Sequence, residues 1–176
     1  MDVDIRPVTP AEHRPLGELT AQAYLREGFL GGDQDPYLPF LRDVSGRASS
    51  ALVLVAVDED RLLGGVTYVP GPGPMADLAR EGEAEIRMLA VDAEARGRGV
   101  GEALARACLD QAKAAGVGRV VLSSQTAMRA AHRLYERLGF QRLPERDWSP
   151  ENKPGLVLVA YALDLDPDLD PGTATR

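Results

Sequence analysis

Residues 51–57 read A-L-V-L-V-A-V, an apolar run without a break. As a strand this run has no face to offer water, so both of its faces need a covering layer. That requirement argues against a sheet with one solvated side and for a sheet packed between helices. The flanking residues fit. Asp58-Glu59-Asp60 is a polar turn, and residues 62–69 form the returning strand of a hairpin.

The other elements follow from periodicity and punctuation. Residues 3–8 alternate as an opening strand, which Pro7 confines to an edge or ends early. Thr9-Pro10 is an N-cap followed by a proline suited to the first helical position, so a helix is expected to about residue 26. Residues 29–39 are turn-rich, and a short helix is expected over 39–46. Residues 83–91 read as a strand. Helical spacing then covers 101–115, closed by Gly116, and 126–138, closed by Gly139. Residues 119–122, 140–143 and 156–163 supply further strands. The expected order, β-α-α-β-β-β-α-β-α-β-β, is α/β with a mixed sheet. One domain over 1–163 is expected, followed by an acidic, Pro-punctuated and flexible tail over 164–176.

Composition removes several classes. The single cysteine, Cys108, excludes an internal disulfide framework and a Cys-based zinc site. With two histidines, no metal centre is expected. No apolar run reaches the ~18 residues of a membrane helix. The first residues, M-D-V-D, do not open like a secretory leader, so a cytoplasmic location without membrane association is expected. The net charge of −7 weighs against nucleic acid as a partner. The charge is unevenly spread: residues 1–95 carry 8 basic and 17 acidic side chains, residues 96–163 carry 11 and 6. The second part is therefore the place to look for an anion site.

It contains one. Arg96-Gly97-Arg98-Gly99-Val100-Gly101 lies between an expected strand and an expected helix. Glycines allow a tight turn and close approach of a ligand to the backbone. A helix start offers free N–H groups and a partial positive charge, which suits a phosphate or pyrophosphate. The Walker pattern fails because no Lys-Ser or Lys-Thr follows the last glycine, and G-x-G-x-G is not the dinucleotide spacing.

Arg96, Gly99 and Gly101 match the [Q/R]-x-x-G-x-[G/A] motif of the GNAT superfamily of acyl-CoA-dependent N-acyltransferases. Leu134-Tyr135-Glu136-Arg137-Leu138-Gly139-Phe140 matches the family's L-Y-x-x-x-G-F ending. The chain resembles that family over roughly residues 84–140. The resemblance implies a central, mostly antiparallel, twisted sheet of six or seven strands. About four helices flank it, and it is splayed at the cofactor site. It implies acetyl-CoA as cosubstrate, with the pantetheine along the backbone of Leu89, Ala90 and Val91. The pyrophosphate would lie on Arg96, Gly97, Arg98, Gly99, Val100, Gly101 and Glu102. It also implies an amine acceptor: a small molecule, or alternatively a protein or peptide. A silent acyl-CoA-binding sensor is the remaining alternative, and a homodimer is common in the family.

Acyl transfer to an amine needs a group to take the amine's proton and one to protonate the leaving thiolate. By resemblance Tyr135 is the acid, although it also lies on the apolar stripe of its helix. Glu85 is the matching base, with Glu83 a weaker rival and pairing with Arg87 the structural alternative. The resemblance places the acceptor side over residues 24–40, 71–81 and 148–154. The first segment holds Tyr24, Phe29, Asp35 and Tyr37, whose rings and carboxylate suit a cationic amine, or serve simply as a packed surface turn. The family's frequent Asn seven residues before the Tyr is Met128 here, which leaves Ser123, Ser124 or Gln125 to replace a cofactor contact.

Overall fold

The computed structural model describes residues 2–165. Seven strands form one open sheet: β1 (Asp4–Pro7), β2 (Leu52–Asp58), β3 (Arg61–Val69), β4 (Glu83–Val91), β5 (Arg119–Gln125), β6 (Gln141–Arg142) and β7 (Leu158–Asp164). Their spatial order is β1-β2-β3-β4-β5-β7-β6. Only β4 and β5 run parallel; every other neighbouring pair is antiparallel. Five helices pack on it: α1 (His13–Arg26), α2 (Leu38–Arg42), α3 (Val44–Ser50), α4 (Val100–Ala114) and α5 (Arg129–Arg137).

The apolar run of β2 is covered on both faces. Val53, Val55 and Val57 pack on Leu16 of α1 and Val44 of α3. Leu54 and Ala56 point the other way, into the large core with Leu104 and Cys108 of α4 and Leu134 and Tyr135 of α5. A third cluster joins Ala21 of α1, Leu38 and Leu41 of α2 and Met88 of β4. The helices α1, α2 and α3 thus cover one face, and α4 and α5 the other.

Three expectations shift. The single short helix near 39–46 is two helices broken at Asp43, whose carboxylate leaves α2 and accepts from Gly46 N at 2.9 Å as the cap of α3. The helix expected from residue 126 begins at Arg129, because Gln125 O accepts from Met128 N in a turn. The last strand runs from Leu158 through Asp164, one residue into the expected tail, and Arg119 Nε donates to Asp164 Oδ1 at 2.7 Å. The remainder of the expected tail, from residue 166, lies outside the described residues.

Candidate active site

The site starts from a failure of pairing. β4 and β5 pair only at Glu83–Arg119, Ala84–Val120 and Glu85–Val121. Beyond that, β4 continues to Val91 and β5 to Gln125 without pairing to each other. A bulge accompanies the divergence. Gly65 of β3 pairs with Ala90 and Thr67 with Arg87, so Met88 and Leu89 together stand opposite Val66. Met88 has φ of 55°, a left-handed conformation that costs a non-glycine residue ~1–3 kcal/mol. Its side chain, buried against Ala21, Leu38 and Leu41, holds it there.

Two cavities open on this splay. The first, about 460 Å³, is walled by Leu89, Ala90 and Val91, by Arg96 and Gly97, and by Tyr135. The second, about 560 Å³, is walled by Tyr37, Arg47, Asp77, Arg87, Trp148 and Lys153, among others. Tyr24, Ile86, Arg87, Met88, Ser123, Ser124 and Met128 border both, so the cavities meet at the splay.

The first cavity fits a long phosphorylated donor. Gly97 and Gly99 have φ of 75° and 78°, the left-handed region that only glycine enters freely, and a Cβ at either would meet open space. Gly99 caps α4, whose first N–H groups have no partner within the helix. Arg96 lines the cavity and is ion-paired with Glu27, the C-cap of α1. Of the residues expected on the donor, Leu89, Ala90, Val91, Arg96 and Gly97 wall the cavity. Arg98, Gly99, Val100, Gly101 and Glu102 form the turn and first helical turn beside it. Arg98 pairs with Asp58 at 2.9 Å and Glu102 with Arg106 at 3.4 Å, so these two side chains are directed to other charges.

Tyr135 stands on the wall of the first cavity, its ring packed 5.8 Å from Phe140 and 6.1 Å from Tyr161. Burial pushes its phenol well above the usual range, so it stays protonated. His132 has no such position. Its Nε2 lies 3.0 Å from Gln125 O, a carbonyl that can only accept, so Nε2 carries the proton and the ring ties α5 to the end of β5. Ser123 borders both cavities, whereas Gln125 Nε2 donates to Phe29 O at 2.8 Å and fastens the loop after α1.

Glu85 is a correction. Its side chain is fully buried and borders neither cavity. Its Oε1 accepts from Leu78 N at 2.7 Å, Ala79 N at 2.8 Å and Asp77 N at 3.1 Å. A carboxylate used this way is the anchor of the loop between β3 and β4. Glu83 is likewise taken, by Arg146 at 2.9 Å and Arg80 N at 2.9 Å. What Glu85 anchors is the more interesting group. Asp77 reaches the second cavity, pairs with Arg87 Nη2 at 3.0 Å, and has its carboxyl raised by burial against the opposing pull of Arg87. Arg87 also donates to Met75 O at 2.7 Å and Tyr37 Oη at 3.3 Å.

The expected acceptor residues divide. Tyr24 borders both cavities and Tyr37 the second, with ring centroids 6.3 Å apart. Phe29 lies on the first cavity, the donor side. Asp35 reaches neither: its buried carboxylate accepts from Gly31 N at 2.7 Å and Tyr37 N at 2.9 Å and pairs with Lys153. The resemblance puts residues 71–81 on the acceptor side, but the sequence does not single out Asp77 within them, nor Arg87 and Arg47, because a lone acid in a Pro-Gly loop and two scattered arginines carry no local signal.

The Acetyltransferase (GNAT) family model matches residues 18–140. The chain therefore belongs to the GNAT acetyltransferase family. It is 38% identical over 77 residues to N-acetylaspartate synthetase of Danio rerio, covering 43% of this chain and 27% of that one. It is 38% identical over 88 residues to N-alpha-acetyltransferase 30 of Schizosaccharomyces pombe, covering 50% of this chain and 56% of that one. The chain thus spans between about a quarter and a little over half of these relatives. Its fold matches that of a Salmonella typhimurium protein solved with acetyl-CoA as its cofactor, at a TM-score of 0.69 and 21% identity over 94% of this chain and 95% of that one.

Proposed function

We propose that this protein is an N-acetyltransferase that moves the acetyl group of acetyl-CoA onto the primary amine of a small molecule, with both substrates bound together. The observation that carries the reading is the meeting of the two cavities at the splay between β4 and β5. Donor and acceptor can occupy one cavity each and meet where the two adjoin. Family membership supports it.

Acetyl-CoA, when bound, supplies a thioester carbonyl that an uncharged amine attacks. The residues that would hold it are the backbone of Leu89–Val91, the glycine turn with Arg96, and the start of α4. They fit because Gly97 and Gly99 leave the turn's backbone open, and the first N–H groups of α4 have no partner within the helix. An alkylammonium with a pKa of ~10.4 must first lose a proton. Asp77 is the group on the acceptor side to receive it, directly or through water. Tyr135 sits on the donor side with its phenol protonated and delivers a proton to the departing sulfur. The raised phenol is a weak acid, but the same desolvation makes a nearby thiolate a stronger base.

The test follows free thiol release from acetyl-CoA with a panel of polyamines, amino acids, aminoglycosides and short peptides, alongside the melting temperature with and without acetyl-CoA. Multiple turnover with a small amine is expected. Turnover with peptides alone would move the assignment to a protein acetyltransferase. Stabilisation by acetyl-CoA without turnover would leave the non-catalytic sensor, and neither would remove the reading.

A further inference from the structure

The second cavity has on its wall a cation with no ion-pair partner among the described residues. Arg47 of α3 is 4% exposed and lies on the cavity wall. Its Nε donates to Thr67 Oγ1 at 3.1 Å, and its Nη1 donates to Leu41 O at 3.1 Å and to Phe40 O. Those contacts use three of the five guanidinium donors. Both donors on Nη2 lack a protein partner among the described residues. Nη2 is also not sealed away, since the buried side-chain atoms without a partner are only Tyr68 Oη and Trp148 Nε1 there.

No carboxylate lies within 4.0 Å of this guanidinium among the described residues, although fifteen ion pairs occur elsewhere. Asp43, four residues earlier, is turned toward Gly46 N as the helix cap. The neighbouring Arg87 is different: Asp77 pairs with it at 3.0 Å and Glu85 stands at 4.0 Å. Lys153 is paired with Asp35. Tyr24 and Tyr37, the other titratable groups facing Arg47, are neutral because burial raises their phenols. Arginine does not escape by losing its proton. A buried, unpaired cation is costly, and a protein that keeps one on a cavity wall has placed the balancing charge elsewhere.

We infer that the balancing charge arrives with the acceptor: the amine substrate carries a carboxylate, received by Arg47 Nη2, so that the acceptor is a free amino-acid-type compound. This rests on the acetyltransferase reading of the same site. It narrows the expectation of a cationic amine, since Asp35, one of the groups behind that expectation, is paired with Lys153. Arg47 fixes the carboxylate end of the acceptor in the cavity that Asp77 also lines, which leaves the amine for the splay.

The experiment measures kcat/KM in the thiol-release assay for the free amino acids against their α-amides, with aspartate against asparagine and glutamate against glutamine for the side-chain position. The full chain is used, with spermidine and an aminoglycoside as carboxylate-free amines. The expected result is a preference of roughly 100-fold or more for at least one carboxylate over its matched amide. In Arg47→Gln that ratio should close to within about threefold, with KM for acetyl-CoA unchanged. Should Arg47→Gln fail to fold, a wild-type measurement remains. In the presence of CoA, the N-acetyl amino acid should raise the melting temperature, and its amide should not. Equal or better turnover of amides or of carboxylate-free amines overturns the inference and leaves the acetyltransferase reading intact. The same holds if acetyl-CoA binds and no carboxylate acceptor is used. Absence of both acetyl-CoA binding and turnover overturns the two together.

Discussion

Two substitutions separate a catalytic carboxylate from an anchoring one. In Asp77→Asn the side chain keeps its size and its place beside Arg87 but can no longer take a proton. A general base is worth ~10²–10⁴ in rate. A loss of about 100-fold in kcat/KM, about 2.7 kcal/mol of barrier, is therefore expected. Its pH signature has a definite sign. Burial raises the Asp77 carboxyl above the ordinary carboxylate value, and only the ionised form accepts a proton. Wild-type kcat/KM therefore falls as the pH drops through that raised value, and this acidic limb should vanish in Asp77→Asn. Glu85→Gln acts otherwise. Glutamine keeps one oxygen at the Oε1 position for Leu78 N, Ala79 N and Asp77 N, but sets an NH₂ where Oε2 also faced Asp77 N–H. That buried NH₂ meets a donor in place of an acceptor, which costs ~1–3 kcal/mol. Part of this is offset, because burial already disfavours the Glu85 charge. For a domain of this size the melting temperature should drop by roughly 3–10 °C. Activity should fall no more than about tenfold, through displacement of the loop that carries Asp77, and the acidic limb should persist. The assay is steady-state thiol release between pH 5 and 9 at saturating acetyl-CoA. Loss of the limb in Glu85→Gln with its retention in Asp77→Asn would refute the assignment.

Tyr135→Phe removes a hydroxyl but keeps the ring against Phe140 and Tyr161, so kcat should fall by roughly 10–100-fold with the melting temperature within about 2 °C. A change under threefold would assign Tyr135 to packing alone. Gly99→Ala forces an L residue to φ of 78° in the phosphate turn, at a cost of ~1–2 kcal/mol, and should raise KM for acetyl-CoA about tenfold. Gly101→Ala should do the opposite for stability. Its Cβ would meet Leu134 at 3.5 Å and Val91 at 3.6 Å, ordinary contacts, and alanine gains ~1 kcal/mol of helix propensity, seen as a melting temperature a few degrees higher. Glu12 is held at a pKa of about 2, chiefly by its hydrogen bond from Arg6, against 4.5 for the free group. Its contribution is present above 4.5 and lost as pH falls toward 2. Discounted for solvent screening it is worth ~1 kcal/mol. The stability gap between wild type and Glu12→Gln, by urea denaturation, should therefore narrow over that window.

The glycine turn was legible in the sequence because its geometry is local. Gly97 and Gly99 take left-handed φ in one turn before one helix start, so residue type and spacing carry the information. The two-faced burial of β2 was legible for the same reason: a run with no polar side chain admits one environment. The acceptor half was not. Glu85 had the right spacing for a base, but whether a carboxylate on β4 meets a cavity or a loop depends on where residues 77–79 fold back. The sequence of that loop does not encode its path.

Composition and local pattern thus determined the layered α/β class, the glycine turn and the helix that bears Tyr135, since each rests on contacts within a few residues. The resemblance anticipated a splay, but the tertiary structure alone decided its opening after Glu85, the bulge at Met88, and the convergence of Asp77, Arg87 and Arg47 on one cavity. Those residues come from α3, β4 and the loop between β3 and β4. Their charges acquire meaning only through burial and through which opposite charges lie within reach, and both are set by long-range packing.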